Sequence, residues 1–205
     1  AAGRTSARGM TVMVKVCGMT DSAAVEAAVA ANVDAIGFVF FEKSPRNVTP
    51  AEARTLASDI PKHIRRIAVM LHPEASLWQE VEEVFQPDVL QTDSDDFAYL
   101  SVAQGVEQWP VYREGSVDDE TALPETYVYE GRKSGHGQTV DWSRAANIAK
   151  RGQMILAGGL SIENVGDAIL QVRPFGVDVS SAVESSPGKK DAAKIAAFTA
   201  AAHRC

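Results

Sequence analysis

Residues 13–41 read MVKVCGMTDSAAVEAAVAANVDAIGFVFF. A short β-branched run over 13–17 is followed by an alanine-rich stretch over 21–31. That stretch opens on Thr20 or Asp21, side chains that cap helix N-termini. A second apolar run over 34–41 closes the unit. Strand, helix and strand in this order predict a parallel pair joined by a right-handed crossover. The alternation continues to the end of the chain. Further strands are expected at 64–71, 88–91, 110–112, 127–130, 154–157 and 176–180. Helices are expected at 49–59, with Pro50 in the first turn, at 73–85, within 95–104, and at 142–150, 162–172 and 190–202. The segment 118–123 carries only a weak signal.

Eight such units place the chain in the α/β class and predict a closed (β/α)8 barrel. An open doubly wound sheet is the rival. It usually carries a glycine-rich phosphate loop after its first strand, whereas Gly18 stands alone there. Residues 13–205 are expected to form this single barrel domain. Residues 1–12 lack the apolar stretch of a secretory signal and are expected to be a disordered lead, with Met10 or Met13 as the native start.

The 205 residues carry a formal net charge of −7, with 45% hydrophobic and 23% charged side chains. This is globular composition. The acidic balance argues against a general nucleic-acid or anionic-membrane binder, but leaves room for a local basic site for a small anion. No apolar run approaches the roughly 20 residues of a spanning helix. Cys17 and Cys205 do not form a disulfide scaffold, and no cysteine or histidine cluster has zinc spacing. A reducing, cytoplasmic compartment and no metal are expected. Monomer and homodimer both stay open.

In such a barrel the chemistry sits at the strand C-termini. Side chains alternate along a strand, so Lys15 and Cys17 point together toward the axis while Val14 and Val16 face the helices. Cys17 is a base or nucleophile if nearby cations lower its pKa, and otherwise an inert buried thiol. Arg46, in Lys43-Ser44-Pro45-Arg46, offers its fork to a carboxylate or is merely solvated. Gly158-Gly159 and Ser180-Ser181 follow the last two strands, where phosphate binds in barrels of this kind, although a double glycine also makes an ordinary tight turn. Glu130 and Asp178 are candidate acids or bases. For Asp178 the preferred role is structural, paired with the buried Lys15. The glycine-rich loop 134–142 is long enough to fold over a substrate.

The ordered pieces are Lys-Val-Cys-Gly-Met-Thr at 15–20, Ala-Ile-Gly-Phe-Val-Phe at 35–40, Lys-Ser-Pro-Arg at 43–46, Val-Asp-Trp at 140–142, Leu-Ala-Gly-Gly-Leu at 156–160 and Gly-Val-Asp-Val-Ser-Ser-Ala-Val-Glu at 176–184. Together they resemble the phosphoribosylanthranilate isomerase family of tryptophan biosynthesis, over nearly the whole chain. The resemblance implies a (β/α)8 barrel enzyme that needs no cofactor. Its reaction is the Amadori rearrangement of N-(5-phosphoribosyl)anthranilate to 1-(2-carboxyphenylamino)-1-deoxyribulose 5-phosphate. It also implies Cys17 as general base, position 130 as general acid and Arg46 at the anthranilate end. The phosphate then belongs on Gly158, Gly159, Ser180, Ser181 and Ala182. Three positions depart from the family pattern. Glu130 stands where Asp is usual. Gln91-Thr92-Asp93-Ser94 replaces Gln-Leu-His-Gly. Ala182 replaces a glycine, which would crowd the phosphate if that glycine were needed for its backbone angles. The alternatives are another phosphosugar enzyme on the same barrel, and a non-catalytic binder of phosphate ligands.

Overall fold

The computed structural model describes residues 11–132 and 139–205; residues 1–10 of the expected 1–12 lead and residues 134–138 of the 134–142 loop lie outside them. Eight parallel strands close into a barrel in chain order. They are β1 (Met13–Cys17), β2 (Ala35–Val39), β3 (Arg65–Val69), β4 (Val89–Asp93), β5 (Glu107–Arg113), β6 (Thr126–Glu130), β7 (Gln153–Leu156) and β8 (Gly176–Val179). The barrel is sealed by β1 pairing with both neighbours, with Lys15 opposite Ala35 on one side and Asp178 on the other.

Alternation along the strands builds two cores. Val14, Val16, Ile36 and Phe38 join the apolar layer between barrel and helices. Ala35, Ile67, Val89, Trp109, Val128 and Ile155 fill the barrel itself. Bulky apolar layers inside the barrel make it a solid core and leave the open space to its C-terminal end.

Six α-helices lie among the described residues: α1 (Ser22–Ala30), α2 (Pro50–Leu56), α3 (Ala75–Val84), α4 (Trp142–Ala149), α5 (Val165–Val172) and α6 (Ala192–His203). Local chemistry starts several of them. Asp21 accepts from the Ala24 N–H at the head of α1. Thr49 and Glu52 form a reciprocal capping box at α2, behind Pro50. Asp191 caps α6.

The helix expected within 95–104 does not form, and the weakly signalled segment 118–123 lies in a loop. After β4 the chain makes only a 3-10 turn, Ser94–Ala98. There the buried Asp96 carboxylate accepts from the His72 N–H and from Thr92, and contacts the His72 ring. These side-chain bonds compete with a helical ladder. Between β5 and β6 the loop is held from outside. Arg144 donates to the Val117 carbonyl at 2.8 Å, and Arg151 to those of Asp118 and Thr121. Strand β5 runs through Pro110 and is longer than the expected 110–112.

One small element was not expected. Strands β9 (Glu184–Ser186) and β10 (Lys189–Lys190) form a hairpin between β8 and α6, so Lys190 belongs to a strand and α6 begins two residues later. The hairpin is tied to the barrel by Thr20 Oγ1, which donates to the Gly188 carbonyl at 2.7 Å.

Candidate active site

A cavity of about 470 Å³ opens at the C-terminal end of the barrel. Cys17, at the end of β1, lines it and is 8% exposed. Glycine makes room for this thiol and for the neighbouring Arg46. A Cβ at Gly37 of β2 would lie 2.9 Å from Sγ. Gly18 sits at φ +88°, and a Cβ there would lie 2.5 Å from Arg46 Cδ. Gly18→Ala is therefore expected to cost about 1–2 kcal/mol, the penalty of left-handed backbone for an L side chain. Thermal unfolding should show a Tm lower by a few degrees. An unchanged Tm would mean that the turn relaxes freely.

Lys15 lies one layer beneath, fully buried, with Nζ 2.7 Å from Asp178 Oδ2. Burial alone would push this ammonium down, but Asp178 and Cys17 outweigh it and leave it above the usual lysine value. For Cys17 the balance differs. Burial pushes the thiol up; the Lys15 ammonium pulls it down, Asp178 adds to the rise, and Lys190 pulls it down again. The net shift is upward, so the unliganded site favours the neutral thiol.

Arg46 lines the same cavity, but its fork is already engaged. Nε and Nη2 donate to the two Glu184 oxygens at 2.7 and 3.0 Å. The same carboxylate accepts from Lys190 Nζ at 2.8 Å. Burial raises the Glu184 carboxyl, yet Arg46 and Lys190 overcome this and hold it below the ordinary carboxylate range.

Across the barrel, Glu130 ends β6 and faces the cavity. Arg113 Nη1 meets Glu130 Oε1 at 2.6 Å, and Nη2 donates to Asp93 Oδ1 at 2.6 Å. Asp93 stands where the family pattern has histidine, and it touches His72 Nε2 at 3.3 Å. The Asp96 hydrogen bond raises the His72 imidazole. The mouth of the cavity on this side is thus a network of three carboxylates around one guanidinium and one imidazole.

The third wall is made by loops. Gly158 and Gly159 take φ +93° and +65°, successive left-handed angles that suit glycine. Asn164 braces this turn by donating to the Gly159 carbonyl and accepting from the Ser161 N–H. Ser180 and Ser181 line the cavity beside it. Ala182 lies in the following 3-10 turn (Ser181–Val183), behind the lining residues, and is not among the positive-φ positions. The backbone there accepts alanine without strain. Two buried acceptors on the wall, Gln91 Oε1 and Asp178 Oδ1, have no hydrogen-bond partner among the described residues.

Cys17, Arg46, Glu130, Gly158, Gly159, Asp178, Ser180 and Ser181 therefore share one cavity, with Lys15 below its floor. Glu184, Lys190, Asn164 and Gln91 lie in the strand-end segments expected to hold the site, but the sequence alone assigns them no role. Lys190 was hidden inside an apparent helix start. Glu184 meets Arg46 only across 138 residues of chain.

A family model described as N-(5'phosphoribosyl)anthranilate (PRA) isomerase matches residues 14–201. The N-(5'-phosphoribosyl)anthranilate isomerase of Pelobacter propionicus is 35% identical over 198 residues, covering 91% of this chain and 93% of that protein. The crystal structure of TrpF from Jonesia denitrificans is similar with a TM-score of 0.78 and 36% identity, over 93% of this chain and 96% of that one. A further crystal structure, of phosphoribosyl anthranilate isomerase in complex with reduced 1-(o-carboxyphenylamino)-1-deoxyribulose 5-phosphate, matches with a TM-score of 0.78 and 28% identity, over 95% of this chain and 100% of that one.

Proposed function

The chain belongs to the N-(5'-phosphoribosyl)anthranilate isomerase family, and from that premise we propose which of its residues run the reaction. It is an isomerase of tryptophan biosynthesis on a (β/α)8 barrel. The substrate is a phosphosugar joined to anthranilate. Its phosphate rests on the Gly158-Gly159 turn and on Ser180 and Ser181, where backbone N–H groups approach an anion without side-chain obstruction. Its carboxylate meets Arg46. The unpartnered acceptors Gln91 Oε1 and Asp178 Oδ1 take hydrogen bonds from sugar hydroxyls, since buried acceptors are costly to leave unpaired.

The chemistry then needs one proton given and one removed. Glu130 donates a proton to the furanose ring oxygen; the C1–O bond breaks and the nitrogen lone pair forms the iminium. The Cys17 thiolate removes the proton from C2, giving the enolamine. Tautomerisation of the enolamine yields the ketone. The observation that carries this assignment is that Cys17 and Glu130, on β1 and β6, line the same cavity from different sides. A sugar held by its phosphate can therefore meet both.

The test uses the fluorescence of freshly generated phosphoribosylanthranilate. The protein is expected to speed its loss far beyond spontaneous decay. Folded protein that binds the reduced product analogue by calorimetry but leaves the decay unchanged would favour the non-catalytic binder.

A further inference from the structure

Behind Cys17 and Arg46 lies a buried ion cluster that the steps above do not use. Lys190 has a fully buried side chain, and Glu184 is nearly so. One carboxylate holds two cations, Arg46 by its fork and Lys190 by a single 2.8 Å contact. Lys190 Nζ also donates to the Ser180 carbonyl at 3.0 Å and to Ser180 Oγ at 3.3 Å. Ser180 Oγ in turn donates to the Cys17 carbonyl at 3.0 Å. The hairpin of β9 and β10 thus delivers an ammonium to the back of the thiol corner.

Stability alone does not explain this arrangement. Burying an ion pair costs several kcal/mol per ion, and apolar replacements of equal volume are often as stable. The charge balance suggests a purpose. The charged groups acting on Cys17 are Lys15 and Asp178 from β1 and β8, Arg46 from the loop after β2 and Lys190 from the hairpin, with Glu184 bound to the last two. Lys15 has Asp178 to itself, whereas Arg46 and Lys190 share Glu184. Burial lowers the Lys190 ammonium and the Glu184 carboxylate works against that loss; with Lys190 charged, the cluster carries one positive charge in excess.

We propose that Lys190 and Glu184 are positioning residues for the reaction: Glu184 holds the Arg46 fork in place, and Lys190, from behind the Ser180 loop, supplies a cation that favours the Cys17 thiolate. The proposal rests on the reading of Cys17 as the base.

Its test is the pH profile of Cys17 alkylation by iodoacetamide, in a Cys205→Ser background that removes the other, exposed thiol. Lys190→Met is expected to move the midpoint up by about one pH unit, the low end for loss of an adjacent opposite charge, and so to slow alkylation about tenfold below it. Turnover should fall through kcat. Glu184→Gln should not raise the midpoint, because it removes an anion, but should raise KM by freeing Arg46. A parent-like midpoint in Lys190→Met overturns the proposal. An equal upward shift in both variants overturns it too, since that would be loosened packing. Should Lys190→Met fail to fold, the double variant with Glu184→Gln, compared with Glu184→Gln alone, gives the same reading. Alkylation is read without turnover. A fully active Cys17→Ala enzyme would remove the base reading and leave the Lys190 shift standing, while an unshifted profile would do the reverse.

Discussion

Replacing Cys17 by alanine is expected to leave a folded barrel whose turnover is at least about 100-fold slower, the low end of what a positioned general base contributes. The fold should survive because the change removes only a sulfur. The neighbours of Cys17 are held without it: Lys15 by Asp178, and Arg46 by Glu184. Binding of the reduced product analogue should be nearly unchanged, since phosphate and carboxylate are gripped elsewhere. A kcat that falls while ligand affinity and circular dichroism stay constant is the signature to look for.

The pH dependence follows from the direction of the thiol shift. Burial holds Cys17 above the ordinary thiol value. Thiolate, the form that accepts the proton, is then a minor species at neutral pH and grows as pH rises. Activity of the parent should still be climbing above pH 8, and that alkaline limb should vanish in Cys17→Ala. If the variant turns over as fast as the parent, the base is another group. Asp178 is then the next candidate, because its Oδ1 is unpartnered among the described residues and it lines the cavity.

Much of this site was legible in the order of residues. Period-two alternation in Lys15-Val16-Cys17 was enough to put the lysine and the thiol on the axis side, and barrel closure brought Asp178 alongside Lys15. The loop glycines marked themselves, since successive left-handed angles suit few other residues. What stayed hidden depended on side-chain contacts that neither strand nor helix periodicity announces. The sequence suggests a helix within 95–104, but the Asp96 carboxylate at its start is taken by His72 and Thr92 instead. Lys190 read as the first residue of the closing helix, and its bonds to Glu184 and Ser180, six and ten residues back, arise from the unexpected β9–β10 hairpin. The concern over Ala182 came from the family's glycine; the backbone there is in an ordinary region, so no glycine is required.

Such side-chain contacts also bear on Glu130, where the family pattern has the shorter aspartate. Its extra methylene is matched by Arg113, which grips Glu130 with one nitrogen and Asp93 with another, each at 2.6 Å. Asp93 is itself a departure from the family's histidine. The two departures are therefore joined through one guanidinium, whose two nitrogens meet both carboxylates. Glu130→Gln keeps the length and the acceptor oxygen for Arg113 but cannot release a proton. It is expected to lower kcat by about 100-fold or more, in the range of general-acid catalysis, with little change in affinity for the product analogue. Glu130→Asp keeps the carboxyl and withdraws it from Arg113, so it should fall between parent and Gln. Steady-state kinetics on the three proteins decide the matter. A Gln variant near full activity would take the acid role away from position 130. An Asp variant as slow as Gln would show that reach, set by Arg113 and Asp93, matters as much as the carboxyl itself. An Asp variant as fast as the parent would show that the network holds position 130 loosely, and that the longer side chain is tolerated without being required.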